Sequence, residues 1–197
     1  VALALFDFDG TISFRDSFAG FIKYTVGHAR FYFGVACLMP VFMGFFLGIF
    51  RASRAKELMS IYFFGGRRVE EFQELALKYS VEELPKIVRE IALERIGWHK
   101  QRGDTVVVVS ASLDIWLKGW CAAQGVDLIA TELDVTGERI SGRFLTKNCI
   151  GREKVRRIKE RYDLAEFDYI YAYGDNRGDE AMLSIANEAY YRWRRRD

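Results

Sequence analysis

Residues 1–11 read VALALFDFDGT, six apolar positions that run into Asp7, Phe8, Asp9, Gly10 and Thr11. An unbroken apolar run of this length predicts a strand covered on both faces, as in a parallel sheet whose crossovers are helices. Side chains two residues apart on a strand share a face, so Asp7 and Asp9 point into one space if the extended conformation continues. Ligands of open α/β sheets bind beyond the carboxyl ends of the strands, where this acidic pair falls. Two acids after a strand also suit a solvated loop or a helix cap, so the rest of the chain has to decide.

Three further segments have the same character. TVVVV (105–109) runs into Ser110, YIYAY (169–173) runs into Gly174 and Asp175, and VDLIAT (126–131) is a fourth strand candidate. An acid, a serine and a Gly-Asp pair at successive strand ends look like one site. The interval from about residue 14 to 103 reads as helical. VEEFQELALKYS (69–80) places Val69, Phe72, Leu75 and Tyr79 near one face, and Leu84, Ile87, Val88 and Ile91 repeat the pattern. A crossover needs one helix, so several imply an inserted helical cap. The expected division is a catalytic core of residues 1–14 and 104–197 with a cap of residues 15–103. Further on, Thr136-Gly137 suggests a hairpin turn, and residues 151–162 and 175–188 read as helices.

Half of the 197 residues are hydrophobic, ample for one sizeable core. The formal charge of +2 gives no reason to expect nucleic acid. Cys37, Cys121 and Cys149 are an odd number, far apart, and with only His28 and His99 they form no zinc spacing. A reducing, cytoplasmic compartment is the expectation, and the strand-like opening carries no export signal.

DFDGT at 7–11, Ser110 closing an apolar strand, Lys154 at a helix start and GDNRGD at 174–179 follow one another in order. In this the whole chain resembles the haloacid dehalogenase (HAD) superfamily of phosphohydrolases, in its phosphoserine phosphatase-like branch, subfamily IB. The resemblance implies an α/β fold, a Rossmann-like parallel sheet core with an inserted helical C1-type cap, and Mg²⁺-dependent hydrolysis of a small phosphate monoester. It implies Asp7 as the nucleophile that forms an aspartyl-phosphate, and Asp9 as the acid–base that protonates the leaving oxygen and then activates water. The metal ligands it implies are the Asp7 carboxylate, the Asp9 carbonyl and Asp175, with Asp179 orienting water or Lys154. Lys154 and the Ser110 hydroxyl are implied to hold the phosphoryl oxygens. The charges agree: several acids around a phosphate dianion demand a cation, since each repulsion at about 4 Å is roughly 1 kcal/mol even in water. An all-oxygen shell suits Mg²⁺.

Some positions depart from the phosphoserine-specific pattern. A Glu that reads the substrate amino group is matched by Asp16, which equally suits an N-cap. Gly178 stands where the branch often has Asn, leaving one contact missing or supplied by Asn176. Arg51 and Arg54 are the candidates for reading a substrate carboxylate, each otherwise a solvated flank. These departures weaken phosphoserine as the substrate and leave the phosphatase expectation intact.

Residues 31–50, FYFGVACLMPVFMGFFLGIF, carry no charge. Their length suits one membrane crossing, but a single crossing would part Asp7 from Ser110, which must meet at one phosphoryl group. Gly34, Pro40, Gly44 and Gly48 suggest a broken helical pair. Its apolar face is then either buried in the cap or a twin subunit, giving a homodimer, or a peripheral surface for membrane or an acyl-bearing substrate, assisted by RWRRR (192–196) if that tail is not merely solvated. Two other functions stay open: a phosphotransferase in which an alcohol replaces water, and a non-catalytic signalling or membrane-surface protein.

Overall fold

The computed structural model describes residues 1–49, 51–135 and 137–196. Its centre is β1 (Ala2–Phe6), every residue of which is buried. β1 pairs in parallel with β2 (Thr105–Leu113) on one side and β4 (Tyr169–Gly174) on the other. β3 (Asp127–Thr131) continues the sheet beyond β2, and β5 (Glu188–Tyr191) continues it beyond β4, both in parallel. β6 (Arg194–Arg195) adds an antiparallel edge, so the order is β3-β2-β1-β4-β5-β6. The alternation along β1 feeds two separate cores. Ala4 and Phe6 face one, Leu3 and Leu5 the other. The first core is closed by α6 (Glu90–Gln101) and α7 (Asp114–Gln124), through Ile96, Trp116 and Trp120; the second by α8 (Arg152–Arg161) and the short α9 (Glu180–Leu183).

Between β1 and β2 lie α1 (Ser17–Val26), α2 (His28–Cys37), α3 (Met39–Phe46), α4 (Ala52–Phe64) and α5 (Val69–Glu82), followed by α6. Phe21, Phe64, Phe72, Tyr79 and Trp116 meet as one aromatic group joining α1, α4 and α5 to α7. α6 belongs with the sheet. Its His99 is enclosed there, with Nδ1 at 2.8 Å from Asp104 and Nε2 at 2.9 Å from the Tyr173 hydroxyl. A cap ending at residue 103 would therefore take in a helix that packs on the core.

Three expectations need correction. The helical pattern continuing through Leu84 and Ile91 breaks at a 3₁₀ turn containing Pro85, after which Val88 is extended and pairs with Ser13. The helix expected over 175–188 shrinks to a 3₁₀ turn and the four residues of α9, because Asn176 and Asp179 cap each other and the chain then turns into β5. The arginine-rich end is not a solvated tail. Arg192 and Trp193 adopt the positive φ values of a tight hairpin. Trp193 packs near Phe6 and Tyr173 and donates to the Thr11 carbonyl at 3.2 Å. Of the expected Thr136-Gly137 turn, Thr136 lies outside the described residues; on either side of it Leu133 pairs antiparallel with Phe144.

Residues 31–49 form a broken pair. α2 and α3 meet at Leu38 with a bend of 54°, and Pro40 sits in the first turn of α3 where a missing N–H costs nothing. Among the described residues no single helix is long and apolar enough to cross a membrane.

Candidate active site

The first strand ends where its sequence said it would, and the turn after it is shaped by Gly10. There φ is +93°, and a Cβ would overlap the Asp175 carboxylate. Glycine thus lets the loop after β1 close onto the loop after β4. Asp7 is enclosed between them. Its Oδ1 accepts from Lys154 Nζ at 2.6 Å, while Oδ2 is buried without a partner. Lys154, in the first turn of α8, is itself enclosed and also donates to Asp179 Oδ1 at 2.7 Å and to the Val109 carbonyl at 2.6 Å. Burial opposes the ammonium charge, but Asp7 and Asp179 on either side hold its pKa above the usual lysine value. Burial pushes the Asp7 carboxyl up to about 7 even though Lys154 pulls the other way.

Asp179 uses both oxygens. Besides Lys154, it accepts from the backbone N–H groups of Asp175 at 3.1 Å and Asn176 at 3.2 Å, which fixes the turn that presents Asp175. Asn176 caps the same turn through Gly178 N–H at 2.7 Å and donates to Asp175 Oδ1 at 2.8 Å. Gly178 has a steric reason, since a Cβ there would sit 2.7 Å from Ile150 Cγ1.

Asp9 faces the same hollow. Its Oδ1 accepts from Ser17 N–H at 2.6 Å, at the start of α1, and its Oδ2 accepts from the Ser112 hydroxyl. Burial, and next to it the Asp16 carboxylate, raises its pKa. Ser110 lies within β2 rather than at its end, and its Oγ accepts from Ser112 N–H at 3.0 Å.

Asp7, Asp9, Asp16, Ser110, Lys154, Asn176 and Asp179 are thus brought together, lining a cavity of about 180 Å³ with Lys56 and Ile150. Asp175 stands against Asp7 and Asp179, the three offering oxygens within 4.8 Å of one another. Among the described residues no other such group of acids, histidines or cysteines occurs. Asp16 serves as the N-cap, its Oδ1 accepting from Ala19 N–H at 2.7 Å, while also bordering the cavity.

Arg51 and Arg54 do not reach it. They line a neighbouring hollow of about 550 Å³, where Arg54 pairs with Glu57 at 2.6 Å. The cation that α4 sends inward is Lys56, which donates to the Ala111 carbonyl at 3.0 Å. Burial lowers its pKa, with Asp9 and Asp16 opposing. Helical phase gave the signal: Lys56 stands one and two turns before Ser60 and Phe63, both buried, whereas Arg54 faces outward. Ser112 and Ser17 were also missed, although Ser112 lies two positions after Ser110.

Lys154 holds the site together electrostatically. Lys154→Met leaves Asp7, Asp179 and the Val109 carbonyl without their shared donor, and breaking a buried pair from one side costs about 3–5 kcal/mol. Urea unfolding at pH 7 is expected to show a loss of that size. A loss below about 1 kcal/mol would mean the three contacts carry no more weight than surface pairs.

The donor set fits a hard divalent cation on two observations: an enclosed carboxylate oxygen on Asp7 with no partner, and two further carboxylates beside it, with Lys154 the only cation among the described residues bonded to these carboxylates. A positive charge next to Asp7 Oδ2 would offset the burial that raises its pKa.

A family model for haloacid dehalogenase-like hydrolases matches residues 4–184. The chain is similar to Protein CicA of Caulobacter vibrioides, with 34% identity over 196 residues covering 96% of this chain and 85% of that protein. In structure it is similar to a protein with unknown function from Bordetella pertussis Tohama I, with a TM-score of 0.82 and 22% identity over 95% of this chain and 88% of that one. It also shares the fold of a phosphoserine phosphatase solved as a phospho-aspartyl intermediate analogue, with a TM-score of 0.61 and 21% identity over 95% of this chain and 84% of that one.

Proposed function

This chain belongs to the haloacid dehalogenase-like hydrolase family, and on that premise we propose that it hydrolyses phosphate monoesters with Mg²⁺ through a phosphoryl group carried on Asp7. The observation that carries the reading is the asymmetry of Asp7. One oxygen is held by Lys154 while the other is enclosed and unpartnered, on a side chain that lines the cavity shared with Asp9. A carboxylate oxygen of Asp7 attacks phosphorus as the bond to the leaving oxygen breaks. Asp9, whose raised pKa favours the protonated form, gives that oxygen its proton. As a carboxylate, Asp9 then takes a proton from water, which attacks the phosphoryl group and frees Asp7 and inorganic phosphate. The Ser112 hydroxyl and Ser17 N–H hold Asp9 in place through both steps. Lys154 fixes Asp7 and, with Ser110, faces the phosphoryl oxygens.

Asp7 and Asp175, with the Asp9 carbonyl by family resemblance, are the groups that would hold Mg²⁺, and Asp179 steadies Lys154 and the Asp175 turn. When bound, Mg²⁺ supplies positive charge against the phosphoryl oxygens and the attacking carboxylate.

A cavity of about 180 Å³ suits a phosphoryl group and little more, so the alcohol portion of the substrate lies outside it, past Ile150 and Lys56. We infer that this portion carries an apolar tail, because residues 31–49, which lead into α4, hold a run of exposed apolar side chains that includes Phe33, Met43, Phe46 and Leu47. Lys56 is placed to meet the substrate rather than the nucleophile. Lys56→Met is expected to raise KM for an aryl phosphate about tenfold, with a smaller change in kcat, as loss of a hydrogen bond to a charged group does. An unchanged KM would remove Lys56 from the substrate's path. Phosphate release from the aryl ester by the wild-type chain tests the reading as a whole.

A further inference from the structure

We propose that the outer face of α2 and α3 is a docking surface for an anionic lipid bilayer, and that the substrate is a phosphate monoester anchored in that bilayer. The second half rests on the phosphomonoesterase reading above; the first does not.

The surface is apolar where water would ordinarily select charge. Met39, Met43 and Phe46 repeat at i, i+4 and i+7 along α3 and all are exposed, Phe46 to 81%. Phe33 at 69%, Leu47 at 72% and Ile49 at 68% flank them. No charged residue interrupts positions 31–49. The underside is already satisfied, since Phe31, Gly34 and Leu38 are buried against the molecule, Phe31 stacking on Phe63 of α4. Contiguous exposed apolar surface of this kind marks an interaction site. The two helices, of 10 and 8 residues and bent by 54°, are too short to cross a bilayer but suit lying in its interface.

Charge identifies the occupant. From Ser17 to Lys56 the chain holds Lys23, Arg30, Arg51, Arg54 and Lys56 and not one acid; the nearest are Asp16 and Glu57. Arg30 precedes the apolar stretch and Arg51 follows it, both exposed, and among the described residues neither pairs with an acid. Arg54 is paired with Glu57 and Lys56 is turned into the catalytic cavity, so Arg30 and Arg51 form the cationic collar of the stretch, and it is complementary to an anionic headgroup layer. A second copy docking by the same face would bring collar against collar with no acid in either segment to offset the repulsion.

The site lies in line with this surface. α4 begins at Ala52, just past the stretch, and delivers Lys56 to the catalytic cavity. The hollow of about 550 Å³ that holds Arg51, Arg54 and Lys147 shares Ile150 with that cavity. A headgroup phosphate can thus enter past Ile150 while its tail stays in the lipid, which the small cavity requires.

Sedimentation with vesicles tests the docking without turnover, using phosphatidylcholine alone and mixed with phosphatidylglycerol, alongside gel filtration and thermal melting. The wild-type chain is expected to be monomeric, to bind the mixed vesicles well above the neutral ones, and to be released by salt. Met43→Ser/Phe46→Ser should bind at least about tenfold more weakly while melting and turning over an aryl phosphate as the wild type does. Arg30→Gln/Arg51→Gln should lose roughly twentyfold on anionic vesicles only. The proposal is overturned if the wild type binds neither vesicle, or if the serine variant binds unchanged. It is equally overturned if that variant melts markedly lower, which would place the side chains in the core, or if it converts a dimer to a monomer. Vesicle binding by a chain that hydrolyses no phosphate ester would leave the docking standing and remove the phosphomonoesterase reading.

Discussion

Asp7→Asn is expected to lower kcat/KM for an aryl phosphate by at least about 10³-fold while leaving the fold in place. The amide has the size of the carboxylate but no charge with which to attack phosphorus, so the covalent route closes. The fold should tolerate the change, because Lys154 keeps Asp179 and the Val109 carbonyl. Burial has also raised Asp7 to about 7, so its ionisation opposes folding in the metal-free protein as pH rises from about 4 to 7, and the neutral amide removes no stabilising charge. Urea unfolding of the variant at pH 7 should show no loss beyond about 1 kcal/mol. Turnover near the wild-type rate would show that Asp7 is not the nucleophile.

Removal of the divalent cation should have an effect as large. Excess chelator is expected to abolish hydrolysis, added Mg²⁺ to restore it, and Ca²⁺ to restore it poorly. The proposed donors are carboxylates and a carbonyl, and Asp7 Oδ2 is enclosed. A larger ion that takes more ligands with looser geometry displaces the phosphoryl group from the line of attack. Without a divalent cation, Asp7, Asp175 and Asp179 confront the phosphate dianion with Lys154, which bonds to the carboxylates of Asp7 and Asp179, as their counter-charge. Full activity in chelator would mean that Lys154 and Lys56 suffice, which the charges do not support.

Much of the candidate site was legible because Asp7, Asp9 and Asp175 come just after uninterrupted apolar strands. Asp7, Asp9 and Asp175 each follow a run that only a buried strand explains, and parallel pairing brings those ends together. What escaped was set by contacts across the chain. Lys56 needed the phase of α4, which becomes evident only once Phe63 and Phe64 are known to be buried. β5 and β6 were missed, the first beginning where the expected helix ends and the second inside the arginine-rich tail, since the capping between Asn176 and Asp179 and the packing of Trp193 near Phe6 depend on a sheet already formed. Residues 31–49 show the same limit. Their break at Leu38 was signalled by Pro40 and the glycines, but which side chains face outward was not: Phe42 packs against the core and Phe46 does not.

The central claim is that the phosphoryl group passes through Asp7, and trapping it is the direct test. Asp9→Asn should still accept a phosphoryl group from an aryl phosphate, whose phenolate leaves without a proton, but should release it slowly. Rapid acid quenching of that variant with labelled substrate, followed by peptide mapping, is predicted to give label approaching one phosphoryl group per chain on the peptide that contains Asp7. Turnover that proceeds with no label on any peptide, or with the label on a residue other than Asp7, would contradict it.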